Sequence, residues 1–281
     1  MRPGLGLYVH IPFCRAKCRY CSFNSYPGLE ALIPSYVQAV AKDIGRWGRA
    51  LSTPRADTIY FGGGTPSLLT TRDWRVLLEA LNRSFELADG AEVSAEANPG
   101  TVTADSLTEL RRLGVNRLSL GVQTAHPQEL RLLERQHDFG DVIQAVAWAR
   151  QAGFDNLNLD LIYGIPSQTL SSWEDSLSQV MRLHPEHLSL YALTIEENTP
   201  FHQWLARGLM KVPDPDLAAD MYDLASERLA SAGFVQYEIS NWAREVLPSP
   251  MTNTQPQLAC RHNLQYWRNR PYLGLGAGAH G

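Results

Sequence analysis

The sequence predicts an α/β protein, a partial TIM-like (β/α)6 barrel of parallel strands with outer helices, plus a C-terminal extension. Short apolar runs alternate six times with longer segments of helical periodicity, and three of the runs break into turn residues such as Gly62-Gly63-Gly64. Such alternation is typical of a parallel sheet covered by helices. Six units are fewer than the eight of a complete barrel, so we expect a barrel that closes only in part.

The six strands are predicted from short runs rich in β-branched, aromatic and leucine residues. The first run is ended by Pro12, and the third by an Asn-Pro-Gly turn at residues 98–100. In chain order the predicted strands are residues 7–13, 58–61, 91–97, 115–122, 156–162 and 187–195.

The helices are predicted from apolar residues that recur three or four positions apart. The first spans residues 33–51 and tolerates Pro34, because proline fits the first turn of a helix. The later helical segments lie around residues 74–81, 107–113, 130, 142–152, 173–180 and, after a longer loop, 214–232.

Composition and charge exclude several functional classes. The chain has 281 residues and a net charge of −4, which gives no electrostatic reason to expect nucleic-acid or membrane-surface binding. It contains no apolar run of about 18 residues and no basic-then-hydrophobic signal region. We therefore predict a cytoplasmic protein without an integral membrane segment, whose contact with membrane enzymes would be peripheral.

Three of the four cysteines, Cys14, Cys18 and Cys21, lie within eight residues directly after the first strand. A disulfide framework would need even numbers and wider spacing. A structural zinc would need a fourth ligand, for which His10 is the nearest candidate. An iron-sulfur cluster with three protein thiolates fits better, because it leaves one iron open to another ligand.

Unusual residues follow the first five predicted strands. The cysteine loop follows the first strand and residues 62–64 the second, while Glu96, Gln123 and Asp160 mark the next three. Taken separately, each feature has a simpler interpretation. The glycines would form only a flexible turn, and each carboxylate would form a salt bridge with Arg117 or Arg135. Because ligands of parallel α/β folds sit at the carboxyl ends of the strands, the five features together predict one polar pocket above the cysteine loop.

These motifs resemble a known family. The spacing of Cys14, Cys18 and Cys21, with Tyr20 before the last cysteine and the glycine turn beyond, is similar to the radical S-adenosylmethionine superfamily. More closely, five segments resemble its oxygen-independent coproporphyrinogen III oxidase-like group: YVHIPFC (8–14), FGGGTPS (61–67), EANP (96–99), LGVQ (120–123) and DLIYGIP (160–166).

The resemblance implies a 4Fe-4S cluster held by the three thiolates, with S-adenosyl-L-methionine bound to the open iron through its amino and carboxylate groups. In chemical terms Asp160 suits ribose hydroxyls, Arg135 suits a carboxylate and Glu96 can accept from an ammonium. The residues at the matching cofactor-binding positions are Tyr8, Tyr20, Gly63, Gly64, Thr65, Glu96, Gln123, Arg135, Asp160 and Ala192.

Two features decide between branches of the group. The resemblance implies that the oxidase carries a further cysteine two positions after the third, where this chain has Phe23. It also implies that the heme-chaperone branch carries a His-Asn-x-x-Tyr-Trp motif, which residues 261–267 resemble. We therefore expect a heme chaperone that passes heme to apo-proteins such as respiratory enzymes. An oxidative decarboxylase of coproporphyrinogen III is the alternative, and a zinc-stapled binding module is a third; no catalytic residue is assigned.

The predicted heme site consists of His262, Asn263, Tyr266 and Trp267. An imidazole can ligate heme iron, the aromatic rings offer flat apolar surface, and neighbouring arginines can pair with propionates. On the residues alone, a core histidine hydrogen-bonded to backbone, with aromatic rings packed beside it, is the favoured interpretation. The arginines concerned are Arg261, Arg268 and Arg270.

We predict a division of the chain into a core domain, residues 1–235, and a linking segment, residues 236–281, which carries the heme motif and begins a truncated C-terminal domain. The glycine-rich residues 274–278 indicate a strand that ends in a ligand loop. His280, in the same turn, receives no role.

Overall fold

The computed structural model describes residues 4–245 and 256–281. The strands of these residues are β1 (Leu5–Ile11), β2 (Phe13–Cys14), β3 (Tyr26–Pro27), β4 (Arg55–Gly63), β5 (Glu86–Ala97), β6 (Arg117–Gln123), β7 (Leu157–Tyr163), β8 (His187–Ala192), β9 (Phe234–Glu238), β10 (Asn241–Arg244) and β11 (Tyr272–Leu275). The α-helices are α1 (Ile33–Ala50), α2 (Thr71–Ser84), α3 (Ala104–Arg112), α4 (Pro127–Leu133), α5 (Phe139–Gln151), α6 (Leu170–Met181), α7 (Pro200–Ala206), α8 (Pro215–Ser231) and α9 (Arg261–Trp267).

Nine of these strands form one sheet in the order β11-β1-β4-β5-β6-β7-β8-β10-β9. Strands β1 and β4 to β8 are neighbours in chain order and parallel, which confirms the predicted partial (β/α)6 barrel. β11 extends one edge in parallel, whereas β10 and β9 extend the other as an antiparallel hairpin. The outer helices begin where local chemistry favours it, since α2, α3, α5 and α6 each start with a capping box.

Some boundaries differ from the sequence prediction. β8 ends at Ala192 rather than at residue 195, and a short helix, α7, lies within the predicted long loop. The Thr199 side chain caps α7 and Pro200 opens it, so its start follows a recognisable pattern that its seven-residue length obscured. The antiparallel hairpin and the helical form of the 261–267 motif were also not predicted, because both depend on contacts with distant strands.

The predicted C-terminal segment, residues 236–281, contributes β10, α9 and β11 to this architecture, and residues 246–255 of it lie outside the described part. The domain boundary near residue 235 stays a prediction. Within the described ranges, no helix combines the length and apolarity needed to cross a membrane.

Along most of their length the parallel strands alternate between an apolar outer face and an inner face of polar residues and glycine. In β6, Leu118 and Leu120 are fully buried in the core beneath the helices, whereas Ser119 and Gly121 line a cavity inside the curved sheet. β7 repeats the pattern with Leu159 outside and its polar neighbours inside. The hydrophobic core therefore lies between sheet and helices, and the barrel interior is free to hold polar chemistry.

This arrangement predicts which side chains can be shortened to alanine without loss of stability. Leu159→Ala removes a fully buried side chain (0% exposed) from the outer core, and the free energy of unfolding should fall by about 2–5 kcal/mol. Ile143→Ala, on the solvent side of α5 (49% exposed), is the matched control and should change it by less than about 0.5 kcal/mol. Urea unfolding measures both; equal losses would contradict the placement of the core.

Candidate functional site

A cavity of about 580 Å³ occupies the interior of the partial barrel. All three clustered cysteines line it, and so does every residue predicted to contact the cofactor. Those residues are Tyr8, Tyr20, Gly63, Gly64, Thr65, Glu96, Gln123, Arg135, Asp160 and Ala192. The cavity also reaches His262, Asn263 and Tyr266 of α9, so both predicted sites face the same space.

The cysteine loop forms one side of the cavity, and its three thiols are half-buried. Cys14 Sγ accepts a hydrogen bond from Thr65 Oγ1 at 3.5 Å, and Cys18 Sγ accepts one from Arg135 Nη1 at 3.6 Å. The positive charge of the guanidinium complements a metal-bound thiolate. At Cys21, burial raises the pKa of the thiol.

The donor set fits an iron-sulfur cluster. Within residues 4–245 and 256–281, no three His, Cys, Asp or Glu side chains converge closely enough to hold a single metal ion. A cubane cluster presents a different iron to each thiolate, so its ligands need not converge on one point. Three half-buried thiols around a polar cavity meet that requirement.

The glycine turn at the end of β4 packs against the end of β1. Gly63 has φ +113°, and a Cβ there would lie 2.4 Å from the ring of His10. At Gly64 a Cβ would lie 2.6 Å from the carbonyl oxygen of Phe13 and 3.0 Å from Cys14 Sγ. The turn therefore needs glycine on steric grounds, and its N–H groups tie it to the end of the first strand: Gly64 donates to the carbonyl oxygen of Ile11 and Thr65 to that of Phe13.

Glu96 is held by two donors inside the cavity. Tyr60 donates its hydroxyl hydrogen to Oε1 at 2.9 Å, and the Gly63 N–H donates to Oε2 at 3.1 Å. Burial raises the pKa of Glu96 to about 7 even though these bonds favour the charged form. The carboxyl group is thus oriented in advance and changes charge near neutral pH.

Asp160 lies within β7 rather than at its end, and faces the cavity. Ser119 donates to its Oδ2 at 2.9 Å and Asn158 donates to its Oδ1 at 2.7 Å. Burial raises the pKa of Asp160, although hydrogen bonds from neighbouring side chains oppose that shift. None of the ion pairs formed by the described residues includes Glu96 or Asp160, so the salt-bridge interpretation of these carboxylates does not hold.

The helix α9 closes the amino-terminal end of the cavity. The backbone N–H groups of Arg261 and His262 donate to the carboxylate of Glu92 at 2.8 and 3.0 Å, where negative charge also complements the positive end of a helix. Cys260 caps the helix through its Sγ, and burial raises the pKa of this thiol to about 12. The fourth cysteine is therefore a structural residue of α9.

His262 is 2% exposed and stacks on Tyr60, with ring centroids 5.2 Å apart. Hydrogen bonds join its Nδ1 to Thr58 Oγ1 (2.8 Å) and its Nε2 to the hydroxyl of Tyr266 (3.0 Å). Burial lowers the pKa of His262 to about 3, with a further contribution from the nearby Arg117 cation. The imidazole is consequently neutral at physiological pH.

The other members of the predicted heme motif occupy different environments. The side-chain amide of Asn263 donates to the Tyr237 hydroxyl (3.4 Å) and to Glu238 Oε1 (3.3 Å). Tyr266 is half-exposed and lines the cavity, whereas Trp267 lies outside it and is 54% exposed. The Arg261 guanidinium donates to the carbonyl oxygen of Gly90, away from the cavity lining.

Sequence reasoning missed several polar residues of the interior. Tyr60 holds Glu96, the pair Ser119 and Asn158 holds Asp160, and Arg117 lies deeper in the cavity. The signal that could have found them is the period of two: residues 117, 119, 121 and 123 of β6 are polar or glycine and alternate with buried apolar residues, and Asn158 and Asp160 of β7 alternate with fully buried leucines. A continuous apolar strand would be expected if both faces were packed.

The chain is similar to proteins of known family. Residues 8–180 match the family model described as the radical SAM superfamily. The chain is 40% identical over 281 residues to the heme chaperone HemW of Escherichia coli, covering 99% of this chain and 70% of that protein. It is 40% identical over 278 residues to the heme chaperone HemW of Synechocystis sp., covering 97% of this chain and 64% of that protein.

A solved structure shares the fold. The coproporphyrinogen III oxidase HemN from Escherichia coli, a radical SAM enzyme, superposes with a TM-score of 0.83 at 28% identity, covering 99% of this chain and 64% of that one. This chain thus spans about two thirds of the length of the relatives it matches. By its matched domain and its identity to these relatives, the chain belongs to the radical SAM superfamily and, within it, to the family of the heme chaperone HemW.

Proposed function

We propose that this protein binds a 4Fe-4S cluster, S-adenosylmethionine and heme, and that it delivers heme to acceptor apo-proteins in the cytoplasm, respiratory enzymes among them. The observation that carries the proposal is that one cavity is lined by three sets of residues. They are the three clustered cysteines, the carboxylates Glu96 and Asp160, and His262, Asn263 and Tyr266 of α9. The relatives named heme chaperone HemW support the heme part.

The residues of the cavity suit distinct parts of the cofactor. Cys14, Cys18 and Cys21 would hold the cluster, which when bound supplies an open iron and an electron. Glu96, oriented by Tyr60 and Gly63, accepts hydrogen bonds from an ammonium group.

The remaining polar groups complete the cofactor pocket. Asp160 offers acceptors to ribose hydroxyls, because its oxygens are fixed by Ser119 and Asn158. Arg135 spans Cys18 Sγ and the carbonyl oxygen of Gly121, 2.7 Å from its Nη2, and its cation faces the place where a carboxylate would bind.

His262 is suited to ligate the heme iron through Nε2. In the tautomer with hydrogen on Nδ1, that nitrogen donates to Thr58, which fixes the ring and leaves Nε2 as an acceptor. The low pKa keeps the imidazole neutral, as a metal ligand must be. Tyr266, whose hydroxyl pairs with Nε2, is half-exposed and would move aside for the iron.

A second candidate function is oxidative decarboxylation of coproporphyrinogen III, which the shared fold with HemN favours. Against it stands Phe23, 65% exposed beside the cysteine loop, at the position where the resemblance places a further cysteine of the oxidase. Anaerobic incubation with coproporphyrinogen III, S-adenosylmethionine and a reductant separates the two functions. Formation of protoporphyrinogen would show the oxidase activity and contradict the chaperone proposal.

The cluster proposal predicts unequal roles for the four cysteines. After anaerobic reconstitution, the native chain should contain about four iron and four sulfide per chain, and serine at Cys14, Cys18 or Cys21 should remove most of both. Cys260→Ser is the matched control: this buried thiol caps α9, so its replacement should leave the iron content unchanged. A native chain that contains zinc and no sulfide would contradict the cluster proposal.

The raised pKa of Glu96 predicts a pH-dependent affinity for S-adenosylmethionine. Above about pH 7 the carboxylate is charged and attracts the ammonium; below it the affinity should fall, approaching about tenfold per pH unit, because a proton must first leave. Glu96→Gln should bind about ten- to a hundredfold more weakly above pH 7 and lose this dependence.

Calorimetric titration of the reconstituted protein between about pH 5.5 and 8 measures this effect, with iron content checked at each pH. Glu79→Gln, on the exposed side of α2, is the control and should retain the native profile. A pH-dependent affinity in Glu96→Gln equal to that of the native protein would assign the titration to another group.

The heme proposal predicts that His262→Ala abolishes stoichiometric heme binding. Thr58→Val should weaken it by about ten- to a hundredfold, because the partner that orients the ligand is lost. His202→Ala, an exposed position on α7, is the control. Heme titration followed by visible absorbance measures all three, and unchanged binding in His262→Ala would remove this residue from the site.

A further inference from the structure

Arg117, the first residue of β6, is a buried cation that faces the cavity. It is 2% exposed, and its Nε–H has no hydrogen-bond acceptor among residues 4–245 and 256–281. None of the ion pairs formed by those residues includes it. Buried guanidinium groups are normally paired, because a charge taken out of water without a partner is costly.

The carboxylates around Arg117 are already engaged with other donors. Glu92 accepts from two backbone N–H groups at the start of α9, and Asp160 accepts from two neighbouring side chains. Glu96 accepts from Tyr60 and from a backbone N–H of the glycine turn. These acids balance the charge of Arg117 at a distance, yet its side chain lines the cavity and its Nε–H has no acceptor among the described residues.

A guanidinium with free donors is built to bind a carboxylate, since its fork matches the two oxygens of that group. The carboxylate of S-adenosylmethionine, which is proposed to bind near the cysteine loop, would lie too far from Arg117 to be its partner. Arg117 and Gln123 stand at opposite ends of β6, about 20 Å apart along the strand, and Gln123 is the end nearer the cysteine loop. Arg117 therefore lies at the α9 end of the cavity.

An aromatic ring lies at the same end of the cavity as Arg117. Tyr266 of α9 is 41% exposed, lines the cavity and shares a hydrogen bond with His262. A flat ring near a buried cation suits a ligand that is planar and carries a carboxylate arm.

We propose that Arg117 anchors a propionate carboxylate of the tetrapyrrole, with Tyr266 beside its ring. This assignment rests on the proposed heme function and adds to it the group that recognises the acid side chains of the ligand. It makes the α9 end of the cavity selective for free propionates over esters.

Titration of the full chain with hemin and with hemin dimethyl ester tests the proposal without any substitution. The native protein should bind hemin at least about tenfold more tightly than the ester, the size expected for one charge-assisted hydrogen-bonded pair. Arg117→Met should weaken hemin binding by a similar factor and remove the difference between the two ligands, while Arg117→Lys should retain part of it. The affinity for S-adenosylmethionine should stay unchanged in Arg117→Met.

The outcomes separate the two proposals. Equal affinity of the native protein for hemin and its ester would overturn the anchor and leave the heme function standing, whereas binding of neither would overturn both. Loss of S-adenosylmethionine binding with hemin binding unchanged in Arg117→Met would assign the carboxylate to that cofactor and overturn the anchor. If Arg117→Met fails to fold, the comparison of acid and ester in the native protein decides.

Discussion

The structure depends on the alternation of side chains along the parallel strands. Apolar residues such as Leu118 and Leu159 face the helices and make the hydrophobic core, which leaves the inner face available for polar groups. A TIM barrel normally fills this interior with packed branched side chains. Here the interior is a cavity, and the stability of the fold comes from the layer outside it.

A polar interior is tolerated only if its groups are satisfied, and the sheet supplies most of the partners itself. Tyr60 serves Glu96, and Ser119 with Asn158 serves Asp160, so neighbouring strands hold each carboxylate in one orientation. The same logic explains α9: Glu92 satisfies the first backbone N–H groups of the helix and attaches the 261–267 motif to the barrel. Arg117 and Arg135 are the cations of this interior whose Nε–H groups the described residues do not satisfy.

Because the fold is shared with HemN, we expect a difference in function to lie in a few positions of the cavity. Phe23 is exposed beside the cysteine loop and presents an apolar surface at the position where the resemblance places a cysteine of the oxidase. His262, in contrast, is a neutral imidazole fixed by Thr58, an arrangement that suits a metal ligand rather than a general acid. Under the proposed function, both residues would affect what the cavity binds.

The sequence by itself determined the six β/α units and the cysteine cluster, because periodicity, turn residues and close-spaced thiols are local signals, whereas the full set of predicted cofactor residues came from the resemblance to a known family. Only the tertiary structure decided that His262 is buried with both nitrogens engaged, that Cys260 caps a helix and that Trp267 lies outside the cavity. It alone revealed that Tyr60 holds Glu96 and that Arg117 forms no ion pair with Glu96 or Asp160, since these environments arise from residues on other strands that the curvature of the sheet brings together. Contacts between groups far apart in the chain leave no local sequence pattern, so only the folded structure shows which residues of the interior contact one another.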